Sequence, residues 1–443
     1  MNTHFRTILY DIFEAGLRAV APDGALLRHA RLDKDILYLG HGIYPLAGKK
    51  LTVLGGGKGA APMALALENL LGDRISDGLI VVKYAHGLPL RRIRQLEAGH
   101  PVPDAAGMAA TQTLLRMAAE VDKNDCVICV FTGGASALTP APVEGVSLED
   151  LQQTTSLLLE CGATIDQLNA VRKHLSRFSG GHLARICQPA RVCSVIVSDV
   201  VGDALDVIAS GPTVPDVSSF ADCWRIVEQF SLTEKLPAPV RERLLAGCRG
   251  HREETPKPGD SLFHNVDNVL VATNRQALEA AATRAREHGY IPRILTDAMT
   301  GEAREQGQWL AREALSAAQG LRPDDAPLCL LAGGETTVTL RGQGKGGRNQ
   351  EMALAASLAL EGEPRVAALF AGTDGSDGPT DAAGGYAFGD SAVRLREHGD
   401  PRRFLDANNS YAALHLSGDL LITGPTRTNV MDMALLLVSP PKE

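Results

Sequence analysis

Leu51-Thr52-Val53-Leu54-Gly55-Gly56-Gly57-Lys58-Gly59-Ala60 reads as a short apolar strand that breaks at a glycine turn, and residues 60–71 continue it with good helix formers. A continuous apolar run closed by glycine is the pattern of a strand buried on both faces. The same unit recurs downstream. Gly78-Leu79-Ile80-Val81-Val82 ends at Lys83, Val127 to Phe131 runs into Thr132-Gly133-Gly134-Ala135-Ser136, and Val192 to Val197 ends at Ser198-Asp199. Such strands alternating with helices predict a mostly parallel sheet covered on both faces, an α/β fold. Ligands of these sheets bind at the carboxyl ends of the strands, where the glycine loops and Asp199 fall.

From about residue 220 to 260 the chain turns polar, with Pro237, Pro239, Pro256 and Pro258. This stretch is expected to be a helical excursion and linker, dividing a domain of residues 1–255 from one of residues 256–443. The second αβ region is expected to open with the strand Val269-Leu270-Val271-Ala272 and the helix 275–287. Strand 291–295, helix 302–318, strand 329–332 and strand 366–370 are expected to follow. At 443 residues, with 44% hydrophobic and 22% charged, the chain has the size and composition of a two- or three-domain globular protein. A formal net charge of −8 argues against a nucleic-acid surface, so a local cationic site is expected to serve a small anion.

The N-terminal stretch places Phe5, Ile8, Leu9, Ile12, Phe13 and Leu17 on one helical stripe, but Asp11 and Glu14 interrupt it. It reads as neither a secretory segment nor a membrane span, and no membrane partner is expected. Cys126 and Cys129 form a C-x-x-C inside a buried strand pattern, where they would point to opposite faces. Buried thiols in a reducing, cytoplasmic setting are the expectation. Whether the chain forms a homo-oligomer is left open.

A second glycine-rich segment, Gly333 to Glu351, reads GGETTVTLRGQGKGGRNQE and holds Arg341, Lys345 and Arg348. Thr336 to Leu340 is expected as a strand before the loop, and Asn349 to Ala356 as a helix behind it. A glycine loop leading into a helix N-terminus exposes backbone N–H groups and a favourable dipole to an anion. Both loops match the dinucleotide pattern, as Gly55-x-Gly57-x-x-Ala60 and Gly342-x-Gly344-x-x-Gly347. The acidic residue that should grip a ribose at the end of the next strand is missing: after the first loop that strand ends in Lys83, and after the second the spacing gives only Glu361 and Glu363, in a turn.

Lys58 stands alone among Gly and Ala, where a compact ammonium could neutralise charge on a transferring phosphoryl group. Arg348 at the helix opening could grip phosphate or carboxylate bidentately. Asp199, ending a very apolar strand, is a candidate base or Mg²⁺ ligand, and Asp374 in the cluster Asp374, Asp377 and Asp381 is a second metal candidate. The stretch 168–176 reads as an amphipathic helix with Arg172 and Lys173 on its solvated side. No G-x-S-x-G elbow, H-E-x-x-H or paired C-x-x-C occurs.

The motifs GGGKGAAPMA, TGGASAL, LNAVRKHLS with GGHLA, SDVVGDALDVIASGPTVPD, GGETTV with GKGGRNQE, GTDGSDGPTDAAGG and GPTRTNVMD follow one another along the whole chain. In that order they resemble the glycerate 2-kinases of the MOFRL type, some of whose relatives carry the label hydroxypyruvate reductase. The resemblance implies an N-terminal Rossmann-like α/β/α domain and a C-terminal MOFRL domain with a mixed sheet. It implies ATP- and Mg²⁺-dependent phosphorylation of D-glycerate to 2-phosphoglycerate in a cleft between domains. It puts the family's proposed catalytic lysine on Lys58 and arginine on Arg348. Gly55, Gly56, Gly57, Gly133, Gly134, Ser136, Gly346, Gly347 and Asn349 are then expected to bind nucleotide or substrate. Thr132 stands where the family usually has Ser, Gly59 where it favours Ala, and Arg427 where it usually has Gly. An NAD(P)H-dependent reductase is the alternative reading, and a non-catalytic sensor a third.

Overall fold

The computed structural model describes residues 2–441, in two compact units. One comprises Pro22–Ser198 and Ala204–Val271; the other comprises Met1–Ala21, Asp199–Asp203 and Ala272–Glu443. Each is built on its own six-stranded sheet. No helix among the described residues is long and apolar enough to cross a membrane.

The first unit begins with a small antiparallel sheet of β1 (Ala30–Asp33), β2 (Ile36–Leu39) and β3 (Gly42–Pro45). Its main sheet is made of β4 (Leu51–Gly56), β5 (Asp77–Lys83), β6 (Arg94–Ala98), β7 (Cys126–Phe131), β8 (Arg191–Val197) and β9 (Val266–Ala272). The spatial order is β6-β5-β4-β7-β8-β9, with parallel pairing from β6 through β8. Counted from β4, that is the 3-2-1-4-5-6 order of a doubly wound sheet, whose direction of winding reverses between β4 and β7. Every residue of β4 and β7 is buried, as the continuous apolar runs predict. The eight cysteines are all free, and both Cys126 and Cys129 are buried. Helices Leu148–Glu160, Ile165–His174, Phe220–Gln229 and Ala238–Cys248 share a separate core around Leu158, Val171, Phe220 and Leu244. The polar stretch from 220 onward is thus helical, as expected.

The second unit contains β10 (Ile291–Met299), β11 (Leu328–Gly334), β12 (Val366–Gly372), β13 (Gly384–Phe388), β14 (Leu420–Leu421) and β15 (Asp432–Val438). Their order is β10-β11-β15-β12-β13-β14; only β10 and β11 pair in parallel, so the sheet is mixed. Helices Ala303–Gly320 and Arg348–Ala359 cover one face, meeting Leu330, Phe370 and Leu436 through Leu310, Met352 and Ala356. The N-terminal helix Asn2–Ala19 buries Phe5, Ile8, Leu9, Ile12 and Phe13, the predicted stripe save Leu17, and its Gly16 abuts Met433.

Three details depart from expectation. The strand expected to open the second αβ region is β9, which extends the first sheet beside β8. No strand forms over Thr336–Leu340: β11 ends at Gly334, and pairing beyond it shrinks to an isolated parallel bridge between Thr337 and Glu302, where the next helix begins. Finally, the C-terminal run 432–438, absent from the expected strands, is the central strand β15, bonded on both sides.

Candidate functional site

In the first unit two loops leave neighbouring strands at the point where the winding reverses. The first follows β4 and the second follows β7, and they are stitched together. The Lys58 amide donates to the Gly133 carbonyl at 2.9 Å, the Gly59 amide to Thr132 Oγ1 at 2.9 Å, and the Thr132 amide to the Gly56 carbonyl at 3.2 Å. Thr132, where the family usually has Ser, therefore serves through its hydroxyl. Gly57 must be glycine: its φ is +134°, and a Cβ would lie 2.2 Å from Thr132 Oγ1. Gly55 at φ +153° would press a Cβ to within 2.0 Å of the Val130 carbonyl. These glycines permit close packing of strand and loop. What is left for a ligand is the backbone of the second loop. The amides of Gly133, Gly134 and Ser136 have no recorded acceptor among the described residues. Three amide donors around one turn are the kind of backbone arrangement to which anions bind.

Lys58 stands over this loop. A Cβ on Gly134 would lie 3.4 Å from Lys58 Cγ and 2.9 Å from the His100 ring. His100 was not among the sequence candidates, although its place just after β6, at a strand's carboxyl end, was a usable signal. From the same loop Ser136 Oγ lies 2.9 Å from Ser210 Oγ, and the Ser210 hydroxyl donates to Asn169 Oδ1 at 3.1 Å. Asn169 and Ser210 were likewise missed; Ser210 lies in the SDVVGDALDVIASGPTVPD motif, but nothing in the chain links it to residue 136. The solvated face expected for Lys173 is also overturned. Lys173 is only 3% exposed, and its ammonium reaches Asp206 Oδ2 at 3.2 Å and Asp216 Oδ1 at 3.4 Å. Burial pushes the Asp216 carboxyl up, but Lys173 and the Ser218 donors prevail and hold it below its ordinary range.

In the second unit Arg348 opens the helix Arg348–Ala359, as expected, and the protein occupies most of its fork. Nε and Nη2 grip Asp432 at 2.6 and 2.9 Å, and Nη1 meets Glu335 Oε1 at 2.7 Å. Burial works against the charged guanidinium, yet the Asp432 and Glu335 carboxylates keep it firmly protonated. The helix N-terminus also carries an internal anion. Asp377 Oδ1 accepts from the Asn349 amide at 3.1 Å and Oδ2 from the Gln350 amide at 2.9 Å, with both side-chain amides adding bonds. The first-turn donors expected to face a ligand are partly taken by this carboxylate; the amides of Gly346, Gly347 and Arg348 have no recorded acceptor among the described residues. Gly342 and Gly344 fit against the Ala407 backbone, Gly346 against Ser410 and Gly347 against Asp377, so here too the glycines serve packing first.

Asp377 supplies a pH test. Burial pushes its carboxyl up from an ordinary 3.8 to about 6, an effect the Asn349 and Gln350 amides only partly offset. A carboxyl raised in the folded state stabilises fully below its unfolded pKa, and that contribution is lost as pH rises through the folded value. The unfolding free energy of wild type relative to Asp377→Asn should therefore fall between about pH 4 and about pH 7. Urea titrations across that range check it; a constant difference would mean Asp377 is ionised throughout.

Asp199 follows β8 by two residues, and Asp374 follows β12 and accepts from the Ser376 amide and hydroxyl at 3.0 and 3.1 Å. No group of three or more His, Cys, Asp or Glu suited to a metal exists among the described residues. A donor set of one or two carboxylates suits Mg²⁺ that arrives on nucleotide phosphates rather than a metal held by protein alone. Arg427 takes φ +63°, so its turn keeps the left-handed conformation that a glycine would adopt at lower cost.

Residues 8–245 match the domain of unknown function DUF4147, and residues 328–432 match the MOFRL family. Glycerate 2-kinase of Pyrococcus horikoshii is 42% identical over 98% of both chains, and D-glycerate 2-kinase of Thermotoga maritima is 40% identical over 98% of both. The chain belongs to the glycerate 2-kinase family. In three dimensions it is similar to the crystal structure of glycerate kinase from Thermotoga maritima, with a TM-score of 0.87 and 39% identity over 99% of this chain and 100% of that one. The DUF4147 match of this family member spans Lys58, Gly133, Ser136, Asn169 and Asp199. Its MOFRL match spans Gly346 to Asn349, Asp374 and Asp377, and ends on Asp432.

Proposed function

We propose that this protein transfers the γ-phosphoryl group of ATP to the 2-hydroxyl of D-glycerate. The observation that carries the reading is the anion-binding turn at Gly133, Gly134 and Ser136, with Lys58 beside it, where the winding of the parallel sheet reverses. The substrate and the 2-position come from the relatives named D-glycerate 2-kinase and glycerate 2-kinase. β5 supports a kinase over a reductase, because it ends at Lys83 and offers no acid to hold a ribose.

In this reading the loop amides hold phosphate oxygens and Lys58 neutralises charge as it builds on the phosphoryl group in flight. The 2-hydroxyl oxygen bonds to the γ-phosphorus while the bond to the bridging oxygen breaks and ADP leaves. The hydroxyl proton passes to a carboxylate, for which Asp199 is the candidate. Mg²⁺ bound to the nucleotide would shield its phosphates, with Asp199 or Asp374 able to supply a ligand. Arg348, held by Asp432 and Glu335, presents its remaining N–H groups to substrate. The protein contributes mainly positioning and charge stabilisation, the usual division of labour in phosphoryl transfer.

The purified protein should form ADP when given D-glycerate, ATP and Mg²⁺, and should not oxidise NADH or NADPH with hydroxypyruvate. Oxidation of reduced nicotinamide without ADP formation would overturn the kinase reading.

A further inference from the structure

The helix Ile165–His174 carries two neighbouring cations that the protein treats differently. Lys173 is paired twice, to Asp206 and Asp216. Arg172 is half-buried, yet no hydrogen bond or ion pair involves its side chain among the described residues. Burial lowers its guanidinium below the ordinary arginine range, and no carboxylate offsets that effect. A cation in this position costs folding free energy, which a neighbouring acid would have relieved.

One turn earlier, Asn169 is 3% exposed. Its Oδ1 accepts from Ser210, while its Nδ2 donors have no recorded acceptor among the described residues. Residues three apart lie on the same helix face, so Arg172 and Asn169 project from one side of the helix. The surrounding backbone is held under strain: Ala209, Ser210 and Gly211 have φ of +54°, +57° and +61° in succession. Non-glycine residues in that region are strained and persist where the surroundings enforce them. Lys173 does so here, tying Asp206 on one side of the turn and Asp216 on the other. The result is that the Ser210 hydroxyl lies between Asn169 and Ser136 of the glycine loop.

We propose that Arg172 and Asn169 form the carboxylate subsite for the small hydroxy-acid substrate, with the Ser136–Ser210 hydroxyl pair receiving its hydroxyl end. The assignment rests on the glycerate reading above. A guanidinium beside an amide matches a carboxylate through charge-assisted hydrogen bonds. It has no use for an uncharged polyol, so glycerol should gain nothing from Arg172.

The test uses the full chain and Arg172→Gln. The KM for D-glycerate should rise about 10- to 100-fold, the range for losing a hydrogen bond to a charged group, while the KM for ATP stays within about twofold. The Tm should hold or increase, because the variant removes a half-buried cation that has no protein partner. D-Glycerate should protect wild type against thermal unfolding and protect the variant far less, whereas glycerol should protect neither. An unchanged KM and unchanged protection by D-glycerate would overturn the subsite, as would a Tm loss of several degrees. If wild type is protected by D-glycerate but phosphorylates nothing, the kinase reading fails while the subsite stands.

Discussion

Lys58→Ala should lower kcat for glycerate phosphorylation by about 10²- to 10³-fold, the usual cost of deleting one preorganised transition-state charge contact. The fold should survive the change, because the stitch between the two loops is made by backbone. The Lys58 amide bonds to Gly133 and the Gly59 amide to Thr132 Oγ1, and both bonds persist in the alanine variant. A Tm close to wild type with a collapsed kcat is therefore the expected pair of results. The split between constants matters as much as the size of the loss. An ammonium that acts on charge developing during transfer lowers kcat and kcat/KM together, whereas one that merely holds ATP raises KM and spares kcat. Lys58→Arg should recover little, because a planar guanidinium is larger than an ammonium and the Lys58 stem already packs beside Gly134. Near-normal turnover by Lys58→Ala would remove Lys58 from the chemistry.

The first sheet was legible because its signal is local. An apolar run, a glycine turn and a helix former stand together in residues 51–71, and repetition of that unit is enough to demand parallel pairing. Its helix–loop–strand junctions follow from the same residues. What could not be read depends on partners distant in the chain. The Ala-Leu-Leu-Leu composition of β15 suits a helix as well as a strand, and only pairing with β11 and β12 decides between them. Gly342 to Gly347 resemble a ligand cradle, but the atoms they accommodate belong to Ala407, Ser410 and Asp377. Lys173 reads as solvated by default; the acids that bury it lie in a different loop. The same holds for the hydroxyl relay, since Ser136, Asn169 and Ser210 share no spacing that a pattern could detect. Lys58 and Arg348 stood out because a cation among glycines is locally conspicuous, but the carboxylates that occupy Arg348 were not foreseeable.

Those carboxylates make Arg348 the site of the largest expected stability change. Asp432 is wholly buried in β15 and takes two hydrogen bonds from Arg348 and one, at 2.9 Å, from Asn349. Arg348→Met leaves that carboxylate buried without its cation, a change that typically costs about 3–5 kcal/mol. Chemical denaturation should show the loss, and activity should fall with it, so an activity assay on this variant alone cannot separate substrate contact from damage to the helix opening. Asp432→Asn in the same chain separates them. Replacing the carboxylate by an amide removes the uncompensated charge and should restore most of the lost stability, since removing both members of a buried pair is far milder than removing one. If Arg348 touches the reacting groups, the stable Arg348→Met/Asp432→Asn protein should still turn over glycerate at least about 10²-fold more slowly than wild type. If its role is to anchor the start of the helix Arg348–Ala359 on β15, activity should return in step with stability. The double variant therefore assigns Arg348 either to catalysis or to the architecture beneath it.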